Sequence, residues 1–116
     1  MDCVFCRIVA GEEPATILYR NNWSMVIVPL EPVVVGHVIA IPNRHATDFS
    51  DDWLTSLEAM SAAFEYARTN MVDYNLITSK GRAATQSVFH LHLHLVPRSE
   101  GDGLALPWYS GKKKKN

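Results

Sequence analysis

The chain has 116 residues, enough for one domain with a core of its own and too few for two. At 47% hydrophobic and 20% charged it reads as an ordinary globular chain, and no stretch approaches the ~20 consecutive apolar residues that cross a bilayer. The net charge of -1 conceals an acidic body: with Lys112 to Lys115 set aside, seven basic residues face twelve acidic ones, which argues against a basic groove for a nucleic-acid backbone.

That lysine run reads as a solvated end, a solubility feature or a nonspecific anion-binding arm. The expected organisation is one domain over residues 1–111 and a basic, disordered tail over 112–116. The start, Met1-Asp2-Cys3-Val4-Phe5-Cys6, has neither a basic region nor an apolar signal core, so a cytoplasmic setting is expected. In such a setting two cysteines read as thiols or metal ligands rather than a disulfide.

In chain order, Cys3 to Ala10 predicts a short helical turn closed by Gly11. Pro14 introduces an extended piece, Thr16 to Tyr19, and Asn21-Asn22 reads as a hairpin turn. Trp23 to Val28 is rich in strand formers and is broken by Pro29 and Pro32. His37 to Ile41 predicts another strand, stopped by Pro42. The connections are too short for helical crossovers, so the strands are expected to pair antiparallel. A long helix follows, with Ser50 as cap and Asp51 and Asp52 in the first turn at the positive end of the dipole. Trp53, Leu57, Met60, Phe64, Ala67 and Met71 recur at spacings of four and three. They predict its core face, although a cofactor-binding stripe would show the same period. Strands over Tyr74 to Thr78 and Val88 to Val96 flank a polar loop from Ser79 to Ser87. The expected class is α+β: an antiparallel sheet carrying one long helix and a short N-terminal helical turn.

The last strand holds the chemistry. Side chains alternate along a strand, which puts His90, His92 and His94 on one face at intervals of roughly 6.7 Å. Phe89, Leu91, Leu93 and Leu95 fall on the other, as a core face. Three imidazoles in strict alternation are poor packing material, because each buried nitrogen needs a partner. They can bind one metal with an open coordination position, giving a hydrolytic zinc site. Alternatively, a neutral imidazole can act as a nucleophile through its free lone pair. Spacing alone does not separate the two.

The run His90-Leu91-His92-Leu93-His94-Leu95-Val96 resembles the alternating signature of the histidine triad (HIT) superfamily. Cys3-Val4-Phe5-Cys6 is similar to that family's opening Cys-x-x-Cys. Gly36-His37-Val38-Ile39-Ala40-Ile41-Pro42-Asn43-Arg44-His45 is similar to its Gly-His-strand-Pro-x-x-His segment, and Gln86-Ser87-Val88 precedes the triad as it does there. The resemblance implies that His92 attacks the α-phosphorus of a nucleotide, that a nucleotidyl-histidine forms, and that water then releases a nucleoside monophosphate. Such a centre needs in-line positioning and charge stabilisation. His94 is suited to contact the phosphate and the leaving atom as a proton donor, and Ser87 with the Gln86 segment to donate hydrogen bonds to phosphate oxygens. A backbone carbonyl is expected to hold the distal nitrogen of His92. His37 resembles a position beside the catalytic pair, with a buried supporting role as the alternative.

The zinc-containing branch of the family further implies that Cys3, Cys6, His45 and His90 bind a structural zinc ion. A Cys₂His₂ set has the ligand types of a closed tetrahedral site; a redox pair at Cys3 and Cys6 would need a βαβ context that is missing. Members generally dimerise, and their C-terminal segments can lie near the partner's active site, where Trp108 could cover a leaving group; packing on its own subunit is the alternative. The chain departs from the pattern at three places. Pro29 stands where an Asp usually binds ribose hydroxyls, with Glu31 nearby. Ser79 stands where many members carry Asn near the phosphate. Thr85 stands where Gly commonly precedes the Gln, and its intolerance of positive φ predicts a differently shaped phosphate loop.

The leading expectation is a cytoplasmic, homodimeric hydrolase or transferase acting on a purine nucleotide or nucleotide conjugate, with no membrane and no specific nucleic acid as partner. A zinc hydrolase holding its metal in the triad, and a non-catalytic nucleotide-binding module, are the rivals.

Overall fold

The computed structural model describes residues 3–112. The elements are α1 (Val4–Val9), β1 (Ile17–Arg20), β2 (Ser24–Ile27), β3 (Val38–Pro42), α2 (Trp53–Asn70), β4 (Tyr74–Ile77), a 3₁₀ turn (Arg82–Ala84) and β5 (Leu93–Pro97). The strands form one sheet in the order β1-β2-β3-β5-β4, with every pairing antiparallel. This is the α+β arrangement that the sequence predicts. The lysines from position 113 onward lie outside the described residues. No helix among the described residues is long and apolar enough to cross a membrane.

The sheet is covered on both faces, and strand alternation sorts its side chains. Val38 and Ala40 of β3 face α2, together with Val26, Leu91, Leu93 and Leu95. Ile39 and Ile41 face the other way and pack with Met25, Ile27, Phe5 and Ile8 under α1. Each of the three buried leucines stabilises the fold by about 2 kcal/mol relative to exposure.

Four expectations need correction. The helix begins after Ser50: Asp52 is its cap, accepting hydrogen bonds from the Thr55 amide at 3.0 Å and the Thr55 hydroxyl at 2.6 Å. Ser50 and Asp51 belong to the preceding loop, where Asp51 accepts from the Thr47 amide at 2.8 Å.

The core face of α2 is also different. Thr55, Ser56, Ala59, Ala62, Ala63 and Ala67 are buried, whereas Trp53 is 74% and Phe64 64% exposed, with Leu57 and Met60 also exposed. Only Ala67 and the partly buried Met71 of the expected set meet the core. Small side chains let the helix lie close on a sheet whose own leucines and valines fill the space.

Third, the ladder of β5 starts at Leu93, not Val88. The chain before it is held by other contacts, such as the Leu91 amide donating to the Ala46 carbonyl at 2.7 Å. Phe89 is exposed, with the Arg82 guanidinium 5.8 Å from its ring centre, so it does not join the core. Fourth, Pro42 ends β3 from within: it pairs with Ser24 at the end of the ladder.

Candidate functional site

The histidines divide into two groups on the α1 side of the sheet. His90 is fully buried and does not line the cavity that His92 and His94 share. Its Nε2 lies 3.1 Å from the Pro42 carbonyl. A carbonyl only accepts, so Nε2 carries the proton and Nδ1 presents a lone pair. Burial, above all, holds this ring's pKa down to about 4. Its Nδ1 stands 3.4 Å from Cys3 Sγ, 3.5 Å from Cys6 Sγ and 3.1 Å from His45 Nδ1, and Cys6 Sγ is 3.4 Å from His45 Nδ1.

The four donor atoms lie within 4.8 Å of one another. Tetrahedral zinc bonds of ~2.3 Å to sulfur and ~2.0 Å to nitrogen imply donor separations of roughly 3.3–3.8 Å, and the four separations of 3.1–3.5 Å above are close to that range. Burial pushes the Cys6 thiol up, and the neighbouring Cys3 adds to the rise; a cation held between them would reverse that balance. The same Cys3 Sγ accepts from the Cys6 amide at 3.4 Å and caps α1. The Cys-x-x-Cys spacing thus places both sulfurs at one helix end.

His92 and His94 face a cavity of about 640 Å³, lined also by Phe5, Ile8, Glu13, Ile27, Pro29 and Ile39. His92 Nδ1 is 2.8 Å from the carbonyl oxygen of His90. Nδ1 must donate there, which leaves the lone pair on Nε2. The Thr78 hydroxyl donates to the His92 carbonyl at 2.9 Å, and the Phe5 ring lies edge-on to the His92 ring at 5.2 Å between centres.

His94 holds the opposite tautomer, set through His37. The Val33 amide donates to His37 Nδ1 at 3.0 Å, so the proton of neutral His37 sits on Nε2. That Nε2 is 3.0 Å from His94 Nδ1, which therefore accepts, leaving His94 Nε2 as the donor. Burial lowers the pKa of both rings, His94 to about 4, with the nearby His92 and His37 lowering His94 further. Adjacent rings 5.0 Å apart thus carry complementary nitrogens, one a lone pair and one an N–H.

The other candidate residues sit elsewhere. Gln86 is buried with its amide spent on its own loop and on the loop before α2: Oε1 accepts from the Gly81 amide at 2.8 Å, and Nε2 donates to the carbonyls of Thr47 at 2.7 Å and Val88 at 3.2 Å. Thr85 takes φ 71 and ψ 22, so the loop keeps a left-handed turn despite the missing glycine, contrary to expectation. Ser87, Ser79 and Thr85 are not among the residues lining the cavity. Trp108 is 80% exposed, which argues against packing on its own subunit. Glu31 is exposed and also outside the cavity lining, whereas Glu13 belongs to it. Sequence reasoning missed Phe5, Ile8, Glu13 and Val33. Only the first two carried a signal, their i, i+3 spacing on the helix that bears the cysteines.

The sequence matches the HIT domain over residues 10–101. An adenosine 5'-monophosphoramidase of Saccharomyces cerevisiae is 35% identical over 111 residues, covering 91% of this chain and 69% of the yeast protein. An adenylylsulfatase of Arabidopsis thaliana is 33% identical over 109 residues, covering 89% of this chain and 55% of the plant protein. Among solved structures, a zinc-bound histidine triad family protein from Mycobacterium smegmatis superposes with a TM-score of 0.78 at 33% identity, covering 100% of this chain and 85% of that one. A Streptococcus mutans protein gives a TM-score of 0.84 at 28% identity, with 92% and 72% covered. With the domain matched over most of its length and the paired imidazoles in place, this chain belongs to the HIT family.

Proposed function

We propose that this protein hydrolyses a nucleoside phosphoramidate, adenylate or related nucleotide conjugate at the α-phosphorus, through a nucleotidyl-histidine intermediate on His92. The observation that carries this reading is the opposed protonation of His92 and His94. The His92 Nε2 lone pair forms a bond to phosphorus as the bond to the leaving group breaks. Positive charge then grows on the His92 ring, and its Nδ1–H bond to the His90 carbonyl strengthens. His94 Nε2–H donates to a phosphate oxygen or the leaving atom. Water next displaces the nucleotide from His92. One water is consumed overall, its hydroxyl going to phosphorus and its proton to the leaving group. The names of the yeast and plant relatives, a phosphoramidase and an adenylylsulfatase, support a nucleotide conjugate as substrate. Transfer to an acceptor other than water is open to the same intermediate.

Cys3, Cys6, His45 and His90 would hold a structural zinc ion that clasps α1 to the sheet and leaves no coordination position for substrate. A triad-held catalytic metal finds less support: the His92 and His94 Nδ1 atoms are both engaged with protein groups, and only His90 joins the cysteines. The active form would be a homodimer. Met60 and Phe64 of α2 and Tyr74 and Leu76 of the sheet-edge strand β4 share one shallow hollow, and all four are exposed. A contiguous apolar patch beside an open strand edge is what a second copy covers.

The test is incubation with adenosine 5'-phosphoramidate, with intact-mass detection of a nucleotidyl adduct. We expect monophosphate release and an adduct on His92. His92→Ala should lower turnover by at least about 10³-fold. Retained turnover in that variant would sink the covalent route, and nucleotide binding without turnover would favour a binding module.

A further inference from the structure

The cavity holds one charged group that this chemistry leaves unused. Glu13 is the only carboxylate among the described residues lining it. Two routes through the fold put it at the end remote from the imidazoles. Along α1, Phe5 touches His92, Ile8 lines the same cavity one turn later, and Glu13 follows after Gly11 turns the chain at φ 78.

Across the sheet, directly paired residues share a face, so His94, Ile39 and Ile27 form a row over β5, β3 and β2 along the cavity floor. The Thr16 carbonyl accepts from the Val28 amide at 3.0 Å, which sets the segment carrying Glu13 one strand further on. Three strand spacings of ~4.8 Å place that segment roughly 14 Å from His94. A nucleotide with its α-phosphorus at His92 therefore brings its base, rather than its phosphate, towards Glu13.

The chemistry of a carboxylate then selects among bases. It accepts hydrogen bonds and cannot donate. Guanine offers N1–H and an N2 amino hydrogen side by side, a bidentate match of the kind arginine makes to carboxylates. Adenine offers one N6 hydrogen beside the N1 lone pair, which a carboxylate repels. The apolar walls at Phe5, Ile8 and Leu30 suit a flat purine, and about 640 Å³ accommodates a nucleotide. Arg7 approaches Glu13 only to 3.9 Å, with both side chains partly exposed. A loose pair of this type leaves acceptor positions open.

We infer that Glu13 is a specificity residue that selects guanine over adenine in this cavity. The inference rests on the reading that the cavity binds a nucleotide at His92. The test is calorimetric titration of the full chain with GMP, IMP and AMP, none of which is turned over. GMP should bind about tenfold or more tightly than AMP. IMP, which keeps N1–H but lacks the N2 amino group, should fall between them. Glu13→Ala should bring the three together. Glu13→Gln, whose amide sets a donor beside an acceptor, should move the preference towards AMP. AMP binding as tightly as GMP to the unaltered chain, or a GMP preference surviving both substitutions, overturns the base assignment alone. If none of the three binds, the nucleotide reading of the cavity fails and this inference falls with it.

Discussion

Protonation at the cavity histidines is decided by single backbone groups. The His90 carbonyl fixes one ring and the Val33 amide, through His37, fixes the other. His94 is kept neutral mainly by burial, with its pKa held to about 4 against an ordinary 6.5. The unfolded chain takes up a proton on this residue as pH falls through about 6.5, while the folded chain resists until about 4. Unfolding is therefore favoured progressively across that window, and the stability contributed by the neutral ring is full above it. Urea denaturation at pH 7, 5.5 and 4.5 should show stability falling with pH, and His94→Gln should reduce the slope, the buried His90 keeping its own share. An unchanged slope in the variant would show that His94 is not the group responsible. His37→Ala leaves His94 Nδ1 without its donor, so both His94 tautomers become populated. We expect kcat to drop by about tenfold or more while nucleotide affinity holds.

At the scale of elements, α2 shows that apolar size and burial are separate properties. Its docked face is built of Ala59, Ala62, Ala63 and Ala67, all nearly or fully buried. Enlarging one of them must push the helix off the sheet. Ala62→Leu should cost about 1–3 kcal/mol in urea denaturation. A stabilising effect there would mean a void beneath the helix. Strand β5 makes a related point: its alternation outlasts its ladder. Leu91 is buried towards α2 and His90 on the opposite side, although hydrogen-bonded pairing begins only at Leu93. Extended backbone alone keeps side chains two residues apart on one face.

For the molecule as a whole, the Cys/His cluster and the exposed apolar face each join parts distant in sequence. The cluster draws on α1, the turn after β3 and the approach to β5, so it anchors the helix that supplies Phe5 and Ile8 to the cavity. Zinc content should be lost in His90→Ala and kept in His92→Ala by elemental analysis. Chelation should lower Tm by roughly 10 °C, the equivalent of a few kcal/mol in a chain of this size. Loss of zinc from His92→Ala would contradict the division of labour among the triad. The exposed face predicts a dimer, and Phe64→Glu should convert it to monomer in sedimentation velocity with little loss of helix content.

The sequence by itself determined the class of fold, the hairpin at Asn21-Asn22, the leucines beneath β5 and the four residues of the cluster. The first three follow from short-range periodicity and turn residues; the cluster, whose members lie up to 87 positions apart, was legible only through the resemblance to the zinc-containing histidine triad proteins. It misread which stripe of α2 meets the sheet. Two stripes of one helix have the same period, and only docking against a particular surface chooses between them. It also left the tautomers and the cavity lining undetermined. Pro42 meets His90, and His37 meets His94, across tens of residues of intervening chain, and Glu13 joins the cavity wall from a segment before β1. A hydrogen bond between backbone and imidazole leaves no trace in residue type, so the lone-pair pattern of this site exists only once the chain has folded.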